Sequence, residues 1–279
     1  MTVAHRAAVC GKPIAHSLSP VVHSAGYAAA GLFDWAYSAI ECAAAELPDL
    51  VRGLGDQWAG LSLTMPLKEA GLAVADVATP AATAIGAANT LVHRPDGSWL
   101  ADNTDAPGIL RVLTDAGLGD HPSITVLGGG GTARAALAAA ASLGAPVVDV
   151  VIRRASALAE LEPVAAAVGI TVRGVSWEVL AGGAPAGGAD AIISTVPKGA
   201  ADGLAGALPW RAGTVLFDAI YDPWPTPLAA AATERGVRVV SGLDLLLAQA
   251  LGQFEQFTGV RPAPEAAMRA ALTAAARVR

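Results

Sequence analysis

The sequence predicts an α/β protein: an N-terminal α/β domain, a doubly wound second domain, and C-terminal helices that return to the first. Three observations predict it. Short apolar runs alternate with helical patterns along most of the chain, the mark of βα units and parallel sheet. In "SITVLGGGGTARAALAAAASLG", from residue 123, a strand, a glycine turn and a helix follow one another. After the last apolar run, "GVRVVSG", the chain becomes helical to its end.

Each element follows in order. Residues 7–10 (AAVC) read as a strand, then a loop "GKPIAHSLSP", then a helix over about 20–30. "WAYSAIEC" alternates like a second strand, 43–54 is helical, and "AGLSLT" is a third strand. "NTLVHRPDGSWLADNTD" reads as two short strands around Pro95-Asp96-Gly97, a hairpin turn signal. Beyond the glycine turn, "PVVDVVIRR", "GADAIISTVP", "GTVLFDAI" and "GVRVVSG" supply further strands. "LDLLLAQALGQFEQF" is one amphipathic helix, and a last helix starts near 264, after Pro262 and Pro264. The first domain is therefore expected over 1–105, completed by 241–279, with the second over 106–240.

Composition narrows the function. The chain has 279 residues, 53% hydrophobic and 15% charged, which is ample for packed cores and unlike a disordered segment. A net charge of −6 argues against nucleic acid as a partner. The alanine-rich stretch 135–152 is interrupted by Gly144, Pro146 and Asp149, so no membrane span is expected. No secretory h-region opens the chain, and Cys10 and Cys42 make neither a disulfide framework nor a metal spacing. The expectation is a soluble cytoplasmic protein acting on a small molecule, as monomer or homodimer.

Gly128, Gly129, Gly130 and Gly131 follow a strand ending at Leu127 and precede a helix beginning near Thr132. Glycines there permit a tight turn and close backbone approach, and helix N-terminal amides suit a pyrophosphate. The spacing is GxGGxAR rather than GxGxxG, and a glycine cluster alone is also what a flexible turn looks like. The strand-turn-helix setting favours a Rossmann-like dinucleotide site. The next strand ends in Ile152-Arg153-Arg154, where an NAD site carries Asp or Glu; Asp149 lies three residues too early. Two guanidiniums suit a 2′-phosphate, so the expected cofactor is NADP, against the plainer reading of a solvated basic pair.

The hairpin offers a second constellation. With its turn centred near Gly97, residues whose numbers sum to about 194 face each other, which pairs Asn89 with Asp105 at the open end. Capping or turn formation by "DNTD" competes with a role in binding. Ser17, Ser19, Ser62, Thr64, Asn89, Asp105 and Lys68 together suit a small polyhydroxylated acid. Lys68 is one of three lysines against fifteen arginines, and a lysine, unlike an arginine, can release its proton. Its plainer reading is a surface lysine opening a helix.

These stretches resemble the shikimate dehydrogenase family nearly end to end. "GKPIAHSLSP" is similar to the family's G-x-P-I-x-H-S-x-S-P, "LSLTMPLK" to N-V-T-x-P-x-K and "GAANT" to G-A-x-N-T, while "DNTD" is unchanged. "GGGGTAR" is similar to G-A-G-G-A-x-R, and "GLDLLLAQA" to G-x-x-M-L-x-x-Q-A. The resemblance implies reversible reduction of 3-dehydroshikimate to shikimate by NADPH in aromatic amino-acid biosynthesis, with no metal. It implies Lys68 and Asp105 as the catalytic pair, with Lys68 as proton donor. Ser17 and Ser19 would hold the substrate carboxylate, with Tyr221 reaching it from the nucleotide domain. Thr64, Asn89 and Gln249 would bind hydroxyls, together with Asp105. Ala219 and Gly242 would touch the nicotinamide end.

Three departures stand out. Ser62-Leu63-Thr64 replaces Asn-Val-Thr, so an amide becomes a hydroxyl. Ile152-Arg153-Arg154 replaces Asn-Arg-Thr, and Ser194-Thr195-Val196-Pro197 replaces the stretch that begins Asn-Ala-Thr. Rival readings are a quinate or aminoshikimate dehydrogenase, or a metabolite sensor without turnover. Ser19 favours shikimate weakly, and intact Lys68 and Asp105 favour an enzyme.

Overall fold

A computed structural model describes residues 3–154, 156–181, 188–208 and 210–278. The chain divides into two compact units, one formed by 1–104 with 246–279 and the other by 105–245.

The first unit opens with β1 (His5–Gly11), α1 (Ser19–Ala29), β2 (Trp35–Glu41), α2 (Leu47–Arg52) and β3 (Trp58–Leu63). It continues through α3 (Lys68–Val74), β4 (Val77–Ala78), α4 (Pro80–Ile85), β5 (Thr90–His93) and β6 (Trp99–Asp102). The sheet runs β2-β1-β3-β5-β6-β4. β1 pairs in parallel with β2 and β3, while the β5–β6 hairpin adds on antiparallel to β3. The apolar runs read from the sequence are these strands because both faces are covered: Ala7 to Cys10 and Leu61 to Leu63 are buried. The segment expected as helical over 43–54 is a 3₁₀ turn, Ala44–Glu46, followed by α2 from Leu47, with Pro48 seated in its first turn.

The second unit begins with α5 (Asp105–Asp115), β7 (Ile124–Leu127), α6 (Gly131–Ser142), β8 (Val147–Ile152), α7 (Ser156–Val168) and β9 (Thr171–Ser176). Then come α8 (Trp177–Ala181), β10 (Ala191–Ser194), β11 (Val215–Asp218), α9 (Pro227–Glu234) and β12 (Arg238–Ser241). All six strands are parallel in the order β12-β11-β10-β7-β8-β9, the doubly wound Rossmann-like arrangement. The order reverses between β7 and β10, and ligands of such sheets bind beyond the carboxyl ends of the strands at that reversal. β7, β10 and β11 are buried throughout, which is why they read as unbroken apolar runs. β9, by contrast, is an exposed edge strand of mixed polarity with no run to announce it.

α10 (Gly242–Thr258) and α11 (Glu265–Ala276) close the chain. Within the first unit, α11 packs on α1, and Met268 and Phe254 close against Gly26. No helix among the described residues is long and apolar enough to cross a membrane.

Candidate active site

In the first unit, backbone pairing gathers three of the sequence motifs. The Lys12 N–H donates to the Met65 carbonyl at 3.0 Å, and the Thr64 N–H to the Cys10 carbonyl at 2.9 Å, so the loop after β1 lies along the one after β3. The Leu63 N–H donates to the Asn89 carbonyl at 2.7 Å and the Ala88 N–H to the Lys68 carbonyl at 2.7 Å. Lys68 therefore opens α3 beside the backbone that leads into Asn89, and both Lys68 and Thr64 are half-buried.

Ser17 and Ser19 sit at the start of α1, whose N-cap is Leu18 with no side-chain cap. The Ser17 hydroxyl accepts from the Ser19 N–H at 3.3 Å, and Ser19 is buried. Capping of a sort thus falls to Ser17, while Ser19 occupies the first helical position.

Asn89 is the hub. Its Oδ1 accepts from the Thr104 N–H at 2.8 Å and the Thr90 hydroxyl at 2.9 Å, and its Nδ2 donates to Thr104 Oγ1 at 3.0 Å. Nδ2 also lies 3.5 Å from Gln249 Oε1, and the Gln249 amide is turned to present that oxygen by donating to the Leu246 carbonyl at 2.8 Å. With Oδ1 occupied by donors, the Asn89 amide turns its hydrogens to Thr104 Oγ1 and Gln249 Oε1.

The hairpin register differs from expectation. Thr90 pairs with Asp102 and His93 with Trp99, so the turn is centred on Asp96, not Gly97, and Asn89 does not face Asp105. Asp96 Oδ1 accepts from the Ser98 N–H at 3.0 Å and also from its hydroxyl, an Asx turn that moves the centre. Asp105 is instead the first residue of α5, buried, three residues past the end of β6, and it falls in the second unit.

Sequence reasoning missed Gln253 and Tyr37. Gln253, buried one turn beyond Gln249, accepts from the Ser62 hydroxyl at 2.7 Å, and Ser62 in turn accepts from the Tyr37 hydroxyl at 2.6 Å. The Gln253 Nε2 donates to the Asn89 carbonyl at 3.1 Å and to Thr90 Oγ1 at 3.2 Å. Burial pushes the Tyr37 phenol well above its ordinary value, so it stays a protonated donor. The i, i+4 spacing from Gln249 is the signal that could have found Gln253.

In the second unit, the glycine turn has the geometry a dinucleotide needs. Gly128 has φ +110, and a Cβ there would lie 2.7 Å from Thr195 Oγ1, so only glycine fits between β7 and the loop after β10. Gly130 is the N-cap of α6, which starts at Gly131, and Gly129 and Thr132 are half-buried beside it. The first-turn amides of this helix are a ready anion site. Arg153 and Arg154 follow directly on the end of β8 and are exposed.

The loop after β11 completes the picture. Ala219 is fixed by its N–H donating to the Ser194 carbonyl at 2.9 Å. A Cβ on Gly242 would collide with the Ala219 carbonyl, so its absence lets these two residues lie against each other, with the Tyr221 ring next to them. Asp218, also overlooked, anchors this loop: it accepts from the Thr226 hydroxyl at 2.7 Å and the Ile220 N–H at 3.2 Å. Burial raises its carboxyl above the usual carboxylate range.

Comparison with known proteins places this geometry. The family model "Shikimate dehydrogenase substrate binding domain" matches residues 9–91, and "Shikimate 5'-dehydrogenase C-terminal domain" matches 242–273. A shikimate dehydrogenase (NADP(+)) of Caulobacter vibrioides is 39% identical over 266 residues, covering 94% of this chain and 92% of the relative. The crystal structure of Mycobacterium tuberculosis shikimate dehydrogenase is 49% identical with a TM-score of 0.87, covering 97% of this chain and 99% of that one. That of shikimate 5-dehydrogenase from Thermus thermophilus, in complex with NADP(H) and shikimate, is 31% identical with a TM-score of 0.80, covering 97% and 99%.

Proposed function

The chain belongs to the shikimate dehydrogenase family, and we propose that it catalyses the reversible NADP-dependent reduction of 3-dehydroshikimate to shikimate. It is an oxidoreductase acting on a CH–OH group. The reading assigns substrate binding to the first unit and the dinucleotide to the second. The observation that carries it is the Asn89 hub: an amide whose oxygen takes up donors and whose nitrogen faces Thr104 and Gln249, with backbone ties leading to Lys68. Such an array of amides recognises hydroxyls by exchanging its mutual contacts for hydrogen bonds to the substrate.

The cofactor's residues fit NADP. Gly128 leaves a space that a Cβ would fill, α6 offers its first-turn amides, and Arg153 and Arg154, exposed just after β8, would hold the 2′-phosphate. Ala219 and Gly242, which lie against each other beside the Tyr221 ring, would meet the nicotinamide end. When bound, NADPH supplies the hydride; the protein supplies orientation and the proton. Ser17 and Ser19 hold the substrate carboxylate, and Tyr221 is the second unit's contribution to substrate binding. Thr64, Asn89 and Gln249 fix the ring hydroxyls. Lys68 delivers the proton to the oxygen being reduced, and Asp105 is the second member of the catalytic pair.

An oxidation assay offering shikimate and quinate, each with NADP and with NAD, tests the reading. Turnover with shikimate and NADP is expected to exceed the other three combinations. Preference for quinate, or no turnover at all, would overturn it.

A further inference from the structure

We propose that Gln253 is a positioning residue for substrate recognition, taking over with Ser62 a place that a single asparagine holds in the family motif. The inference rests on the reading that Asn89 and Gln249 meet the substrate.

The argument starts from Ser62. It stands where the family motif carries asparagine, yet it is buried and its hydroxyl is engaged both ways, accepting from Tyr37 at 2.6 Å and donating to Gln253 at 2.7 Å. A hydroxyl so engaged has no hydrogen left to give a substrate. The missing amide reappears from α10 as Gln253, whose Nε2 reaches both the Asn89 carbonyl at 3.1 Å and Thr90 Oγ1 at 3.2 Å.

The chain of hydrogen bonds has one direction. Tyr37 donates to Ser62, Ser62 to Gln253 Oε1, Gln253 Nε2 to Thr90, and Thr90 to Asn89 Oδ1. A phenol that stays protonated sets the polarity at one end. At the other end the polarity demands that Asn89 turn its NH2 away from Thr90, towards Thr104 Oγ1 and Gln249. Gln253 also pins α10 one turn from Gln249, so the same side chain fixes both substrate-facing amides. Removing it takes one of two donors from the Asn89 carbonyl, which keeps the Leu63 N–H, and one donor from the buried Thr90 hydroxyl, and so loosens the hold on the Asn89 amide.

The test is steady-state kinetics on Gln253→Ala, on Ser62→Asn, and on the double variant, with thermal melting of each. Gln253→Ala is expected to raise the KM for shikimate about tenfold or more while leaving the KM for NADP within about twofold. In the double variant the longer amide side chain placed at position 62 enters the space that Gln253 vacates, and shikimate KM should recover most of the loss. An unchanged shikimate KM in Gln253→Ala, equal losses for both ligands, or no recovery in the double variant would overturn the proposal. Should Gln253→Ala not fold, Tyr37→Phe, which removes only the terminal donor, must still raise shikimate KM without changing NADP KM. Asn89→Ala run alongside separates the two levels: if it too leaves shikimate KM unchanged, the site reading itself has failed.

Discussion

Asp149 on β8 lies directly opposite Arg173 on β9, and its two carboxylate oxygens are held by that guanidinium at 2.6 and 2.8 Å. This cross-strand pair occupies the only acidic side chain of β8, so no carboxylate at this strand offers itself to a ribose hydroxyl. On the proposed function, discrimination between NADP and NAD is expected to fall instead on the two residues after the strand. Replacing Arg153 and Arg154 by Ala should raise the KM for NADP about tenfold or more and leave that for NAD nearly unchanged. Equal losses with both cofactors would remove the arginines from 2′-phosphate recognition.

The two serines at the start of α1 should separate under mutation. Ser17 accepts from the Ser19 N–H, so Ser17→Ala is expected to cost roughly 0.5–1 kcal/mol of stability as well as substrate affinity. Ser19 caps nothing, so Ser19→Ala should weaken shikimate binding with little change in melting temperature. Titration calorimetry beside thermal melts reads both. Normal shikimate affinity in a folded double Ala variant would leave only the capping role.

Buried His23 gives a pH signature. It is stacked on Tyr37 with ring centroids 4.1 Å apart. Burial, opposed only in part by the neighbouring Gln253 amide, pushes its pKa from 6.5 down to about 3. The unfolded chain therefore takes up a proton that the folded chain refuses between these values. Stability is complete above about 6.5 and falls as pH drops towards 3, by up to ~1.4 kcal/mol per pH unit. His23→Phe keeps the stack and removes the proton, so denaturant midpoints should fall less steeply with acid than in the wild type. Parallel curves would show that other groups govern the acid limb.

Much of the fold was legible because its central strands are buried on both faces and so stand out as apolar runs, as in "ITVL" and "VLFD". β4, with two residues, and exposed β9 carry no such run, and nothing local announces them. The hairpin register was misread because the turn centre is decided by the Asp96 side chain bonding to Ser98, which composition does not reveal. Site residues that sit in motifs were readable. Gln253 was not, because a glutamine on an amphipathic helix looks the same whether it meets water or a buried serine far away in sequence. Asp218 was hidden likewise, since its partner Thr226 lies across a proline-rich loop.

Lys68 provides the sharpest test of mechanism. It opens α3 half-buried, with its backbone carbonyl tied to Ala88 next to the Asn89 hub, so main-chain bonds fix its place in the site. A substitution there should leave the hub intact. General acid catalysis typically contributes about a hundred- to ten-thousandfold in rate, and Lys68→Ala should lower kcat by that order. Shikimate KM should change far less, the pattern of an interaction made mainly in the transition state. Lys68→Arg keeps the charge and removes the exchangeable proton, so it too should be nearly inactive. An arginine variant with near-normal kcat, measured at saturating NADP and shikimate, would show that position 68 contributes positive charge alone and that the proton travels by another route.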